Sequence, residues 1–133
     1  MLCACLIALV GCTTQINRSD VEYPLTVELK RGASRMVNSD LTVRFVSVTS
    51  DSRCPTGVQC AWAGNAEVEL ELTGSATETV RLNTGAQFPR TELYQGYSIT
   101  LLELKPYPTE GRRIDASSYV AVLSVDKEVS ASD

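Results

Sequence analysis

The sequence predicts an all-β chain, a single antiparallel β-sandwich or small barrel of about six to seven strands. Three observations carry that expectation. Apolar and polar residues alternate in several short runs, the period of a half-buried strand. Glycine, proline, serine and aspartate punctuate the runs at short intervals. No stretch shows the recurrence of an amphipathic helix. With 133 residues the chain fits one domain, and a hydrophobic content of 44% suits a folded core.

The strands follow in order. Leu25, Val27 and Leu29 alternate with Thr26, Glu28 and Lys30, and Arg31-Gly32 closes the run. Leu41, Val43 and Phe45 repeat the pattern, but Val46 and Val48 fall on the other phase. A one-residue slip turns side chains to the opposite face, so a β-bulge or a crossing between sheets is expected near Phe45-Val46. Ala66, Val68, Leu70 and Leu72 alternate with Glu67, Glu69 and Glu71 in the most regular run of the chain. Thr73-Gly74-Ser75 is a turn signal, and Val80 and Leu82 form the return strand of a hairpin. The three glutamates read as the solvated face of an amphipathic strand rather than a calcium-binding face, with Arg44 or Arg81 as cross-strand partners.

Residues 83–96 hold Gly85, Pro89 and Gly96 without a period, so a long loop is expected, with one helical turn at Arg90 to Tyr94 as its only regular structure. Tyr97, Ile99 and Leu101 alternate, and the phase slips again at Leu102 and Leu104. Pro106-Tyr107-Pro108 ends that strand, because proline cannot donate to a ladder. Tyr119 to Leu123 is apolar on both faces, as a central strand should be.

The leading segment carries an address. Leu2 to Val10 is an apolar run of signal-peptide length, too short for the about 20 residues that span a bilayer. Leu9-Val10-Gly11-Cys12 resembles the lipobox of bacterial lipoproteins. That resemblance implies a signal peptide over residues 1–11, cleavage before Cys12 and acyl chains on it, two or more of which hold firmly where one does not. No Lys or Arg precedes Cys12, whereas signal peptides begin with positive charge; a start assigned too far downstream accounts for this. Residues 12–23 then form the lipidated cysteine and a polar tether, residues 24–126 the β-domain and residues 127–133 a polar tail. Thr13, rather than aspartate, follows the cysteine, which is similar to the outer-membrane sorting class of enteric lipoproteins. The expected location is the cell envelope, on the periplasmic face of the outer membrane in a Gram-negative cell.

Composition narrows the function. The chain contains no histidine, which removes the commonest general base and metal ligand, so no catalytic residues, no metal ligands and no cofactor are expected. A net charge of −4, with both signs interspersed, gives no footprint for nucleic acid. Of the five cysteines, Cys3 and Cys5 lie in the leader and Cys12 ends it. Cys54 and Cys60 remain, an even count in an exported chain, and a disulfide between them is the expectation. Their spacing differs from the C-x-x-C of thioredoxin-like proteins, and no lysine or histidine lies beside them in sequence to lower a thiol pKa. A redox pair is therefore the alternative, and metal binding by two thiolates ranks below it.

Asp51 to Gly64, read as D-S-R-C-P-x-x-V-x-C-x-W-x-G before an alternating strand, resembles a motif of small, uncharacterised bacterial lipoproteins. The Tyr97-x-Ile99-x-Leu101 strand, the Pro106-Tyr107-Pro108 stop and Tyr119-x-Ala121-x-Leu123 are similar in order. The resemblance implies an exported β-domain with a disulfide loop and brings no catalytic residues.

The candidate binding residues are Trp62, Tyr107, Arg112 and Arg113. Trp62 would serve as an aromatic contact for a partner or sugar; the competing expectation, favoured on packing grounds, places it over the disulfide loop, closing one end of the core. Tyr107, Arg112 and Arg113 share a loop suited to an anion or a peptide. Asp51 is expected to cap a turn by accepting backbone N–H bonds. The function expected is a lipid-anchored, non-catalytic binding or structural module whose partners are the membrane, through Cys12, and an envelope protein or glycan; a small envelope enzyme or thiol-redox protein using Cys54 and Cys60 is the alternative.

Overall fold

A computed structural model describes residue 11 and residues 21–128. Residues 1–10 of the expected signal peptide, Cys12, the expected tether up to residue 20 and residues 129–133 of the expected tail lie outside the described residues. The domain is a β-sandwich of two four-stranded antiparallel sheets. Its strands are β1 (Leu25–Lys30), β2 (Ser34–Asn38), β3 (Leu41–Asp51), β4 (Ala66–Thr73), β5 (Thr77–Asn83), β6 (Thr91–Tyr94), β7 (Tyr97–Lys105) and β8 (Val120–Lys127). One sheet has the order β1-β8-β7-β6 and the other β2-β3-β4-β5. There are eight strands where about six to seven were expected, and they do not close into a barrel. The additions are β2 and β6, the latter in place of the helical turn expected at Arg90–Tyr94. β8 takes in Lys127, the first residue of the expected tail.

The alternating residues supply the core. Val27, Val43, Phe45, Val68, Leu70, Leu72, Leu82, Ile99, Leu101, Leu123 and Val125 are fully or almost fully buried between the sheets. The doubly apolar β8 lies centrally, between β1 and β7. The glutamates on β4 alternate with buried residues and have the expected cross-strand partners: Glu69 pairs with Arg81 and Glu71 with Arg44 across the ladder.

Both phase slips are bulges. Register shifts between Phe45 and Ser47, which face Leu70 and Glu69, and the extra residue is Val46. It shifts again between Leu101 and Glu103, so that Leu102 is the extra residue. The second bulge has a double effect. Leu104 keeps an inward position at 2% exposure while Leu102 turns outward at 46%.

Strand direction sorts the connections between two ends. Tight turns occupy one end: Ser39-Asp40, Gly74–Ala76 and Gln95-Gly96. The start of the domain lies there too, because the Asn38 amide donates to the hydroxyls of both Tyr23 (2.8 Å) and Tyr97 (2.7 Å). At the other end lie the long loops, residues 52–65, 84–90 and 106–119.

Candidate functional site

The long-loop end is built on an ion pair that the sequence hides. Asp51 and Arg53 are two residues apart on extended chain, so their side chains share a face. The Asp51 carboxylate accepts from Arg53 Nε (2.8 Å) and Nη2 (2.7 Å), and from the Tyr119 hydroxyl (2.9 Å). Arg53 also donates from Nη1 to the Leu104 carbonyl (2.7 Å) and from Nη2 to the Pro106 carbonyl (3.1 Å). The Tyr107 ring stands 5.4 Å from the guanidinium carbon. One arginine thus ties loop 52–65 to the end of β7 and to loop 106–119. Asp51 accepts the Arg53 N–H at 3.3 Å, which is the turn cap expected of it, but the buried pair is the larger part of its role.

A second network joins loop 52–65 to loop 84–90. Asn65 Nδ2 donates to Asn83 Oδ1 (2.9 Å), and Asn65 Oδ1 accepts the Gly85 N–H (2.9 Å). Asn83, 5% exposed, donates from its amide to the Pro89 carbonyl (2.9 Å). Loops 52–65 and 106–119 also pair through backbone: Thr56 N–H donates to the Pro108 carbonyl (2.9 Å), and Glu110 N–H to the Thr56 carbonyl (3.1 Å). The long loops are therefore fixed to one another by satisfied polar groups.

These contacts set two ionisations. Burial pushes the Asp51 carboxyl up, but hydrogen bonds from Arg53 and Tyr119 and the charge of Arg53 bring it below its ordinary value. Tyr119 is pushed up to about 12, first by burial and then by its hydrogen bond to Asp51 and the carboxylate charge. Because the folded pKa is raised, the stabilisation from neutral Tyr119 is complete below about 10, the ordinary tyrosine value, and is lost as pH rises through about 12. A tyrosinate absorbance titration should therefore show a late step near 12 that disappears in Tyr119→Phe. The same late step surviving in the variant would assign it to another tyrosine.

Cys54 and Cys60 form the expected disulfide, with Cα atoms 5.9 Å apart. Trp62, two residues on, does not close the core: it is 82% exposed, which corrects the packing expectation. The loop is held by Arg53 and Asn65 on its flanks, so the indole is free to point outward. Reduction should lower stability by about 2 kcal/mol, the chain-entropy value for so small a loop, and leave the strand signal in circular dichroism intact. Trp62 emission, red-shifted as a solvated indole requires, should change in intensity as the loop loosens. Two free thiols titrating in the protein isolated from its native cells would contradict the structural disulfide and favour the thiol-redox alternative.

Around this frame most of the large exposed apolar side chains of the described residues collect; Met36 on β2 and Leu93 on β6, near the Gln95-Gly96 turn, lie apart from them. Val58, Trp62, Phe88, Leu102 and Tyr107 are all exposed at the long-loop end. A groove of about 370 Å³ lies beside Leu102 and Tyr107, with Ala63, Gly64, Ala86 and Leu104 also in its wall. Tyr107 also borders a second hollow, of about 330 Å³, lined by Arg112 and Arg113. The structure thus brings Tyr107, Arg112 and Arg113 together, and puts Trp62 on the loop that forms the far side of Tyr107's other hollow. Sequence reasoning missed Arg53, Asn65, Asn83, Phe88 and Leu102. The opposite end has a hollow of about 620 Å³ lined by turn residues such as Asp40 and Gln95 and by Lys127 at the end of β8, with none of the exposed aromatic residues.

Comparisons with protein-family models, with curated proteins and with solved structures find no match to this chain.

Proposed function

We propose that the protein is a lipid-anchored, non-catalytic module of the bacterial cell envelope, tethered through Cys12, that binds an envelope protein or glycan through its long-loop end. The placement is the outer membrane, periplasmic face, in a Gram-negative cell. The supporting observation is polarity along the strands. The chain enters the domain at the tight-turn end, where Tyr23 meets Asn38, while Trp62, Phe88, Leu102 and Tyr107 crowd the other end. A domain tethered through residues 12–20 would present those side chains away from its anchor. Exposed apolar patches on rigid loops mark interaction sites. Supporting the reading further, the disulfide suits an oxidising compartment.

Intact-mass spectrometry of the membrane-extracted protein tests the anchor. The expected species begins at Cys12 and carries acyl mass; Cys12→Ser should release the chain to the soluble fraction without changing its fold. An unmodified chain still carrying Met1 contradicts the anchor. Catalytic turnover that survives delipidation would favour the envelope-enzyme alternative.

A further inference from the structure

We propose that the hollow beside Tyr107 takes an acidic peptide segment, its carboxylate held by Arg112 and Arg113 and a neighbouring apolar side chain seated against Tyr107 and Ile114. This deepens the loop-end reading and rests on it. Arg112, Arg113, Tyr107, Ile114 and Pro106 line the hollow. The ion pairs of the described residues engage Arg53, Arg81 and Lys105, so neither Arg112 nor Arg113 forms a close ion pair among them, and the two stand side by side in a hollow whose wall carries one carboxylate. The one acidic residue in the wall, Asp115, has Oδ1 occupied by the Ser117 N–H (2.9 Å) and hydroxyl (2.8 Å). Those bonds, with the charge of Arg31, hold its carboxyl below the ordinary range.

The backbone carrying the two arginines is fixed on both sides. Before them, Arg112 N–H donates to the Thr109 carbonyl (3.1 Å) across a turn in which Gly111 has φ 72°, and this turn is paired to Thr56. After them, Asp115 caps the short helix Ala116–Ser118. Little backbone ordering remains for a ligand to impose, which favours binding. Guanidinium forks match carboxylates two bonds at a time. The apolar wall gives a peptide side chain somewhere to bury, which a bare inorganic anion does not use. The position, at the end remote from residues 21–24, argues against the headgroups of the anchoring membrane.

Fluorescence anisotropy with the purified full-length protein tests this, using a labelled hexapeptide of alternating glutamate and leucine. The same peptide with glutamine for glutamate, inorganic phosphate and an oligoglucuronate are the comparison probes. The glutamate peptide should bind, more weakly at high salt. The glutamine peptide should bind about tenfold or more weakly, as should the glutamate peptide to Arg112→Gln/Arg113→Gln. Arg35→Gln, on exposed β2, should bind as wild type. Equal binding of both peptides, or unaltered binding by the double variant, overturns the proposal. Displacement by phosphate or oligoglucuronate at lower concentration than the peptide reassigns the site to a bare anion or an acidic glycan and overturns it as well. In-cell crosslinks from position 62 that persist in the double variant, with no peptide binding, would remove this site and leave the loop-end reading standing.

Discussion

Arg53→Ala should lower folding stability by about 3–5 kcal/mol, the cost of leaving a nearly buried charge without its partner. The side chains of Arg53 and Asp51 are 5% and 13% exposed, and the variant also orphans the Leu104 and Pro106 carbonyls. Urea denaturation followed by far-UV circular dichroism reads the change. Lys105→Ala, which removes the solvent-exposed pair with Glu28, should leave the midpoint near wild type. Equal midpoint shifts in the two variants would show that Arg53 does not bear the loops. The acid limb gives a second readout. The folded Asp51 pKa is depressed, so its stabilisation is present above the unfolded value of about 3.9 and is lost as pH falls through the lower folded value. Asp51→Asn should be less stable at neutral pH and flatter below about pH 4.

Gly64→Ala should be more damaging than Gly32→Ala, although both glycines have left-handed backbone, with φ 71° and 84°. A side chain on Gly32 meets nothing within 4 Å, so its cost is that of the backbone region alone, about 1–2 kcal/mol. A Cβ on Gly64 would overlap the Ser52 carbonyl oxygen and lie 2.9 Å from the Arg53 Cα, both of them backbone. Neither can yield without moving Arg53 off Asp51, so the loss should exceed about 4 kcal/mol or abolish folding. Equal urea midpoints for the two variants would mean that the closure of loop 52–65 over Arg53 is loose.

The legible parts of this fold were those in which local pattern and tertiary burial agree. The strands carrying Leu25, Leu41, Ala66, Val80, Tyr97 and Ala121 each place two or more residues in the core or its margin, so their apolar pattern revealed them. The bulges were legible because a slipped phase is itself a pattern, as at Leu102. β2 buries only Val37 among its five residues, and β6 only Tyr94 among four, which leaves no period to read. Proline and glycine around β6 pointed to a loop instead. Arg53 was hidden for another reason. Its burial depends on carbonyls 51 and 53 residues away in sequence, and beside a cysteine-rich turn an arginine reads as solvated. The Asp-x-Arg spacing was the available signal. Trp62 failed in the opposite direction: an apolar side chain beside a disulfide suggests packing, yet the loop is held by polar bonds at its flanks and has no need of the indole inside.

Whether the long-loop end is the partner-binding face is tested most directly by photocrosslinking in living cells, with a photoreactive residue in place of Trp62, Tyr107 or Met36. Met36 is 70% exposed on β2, outside the loop cluster, and serves as the reference. Discrete crosslinked species from positions 62 and 107, with none from 36, are the expected result. Crosslinks from position 36 at equal intensity, or none from 62 and 107, would contradict it.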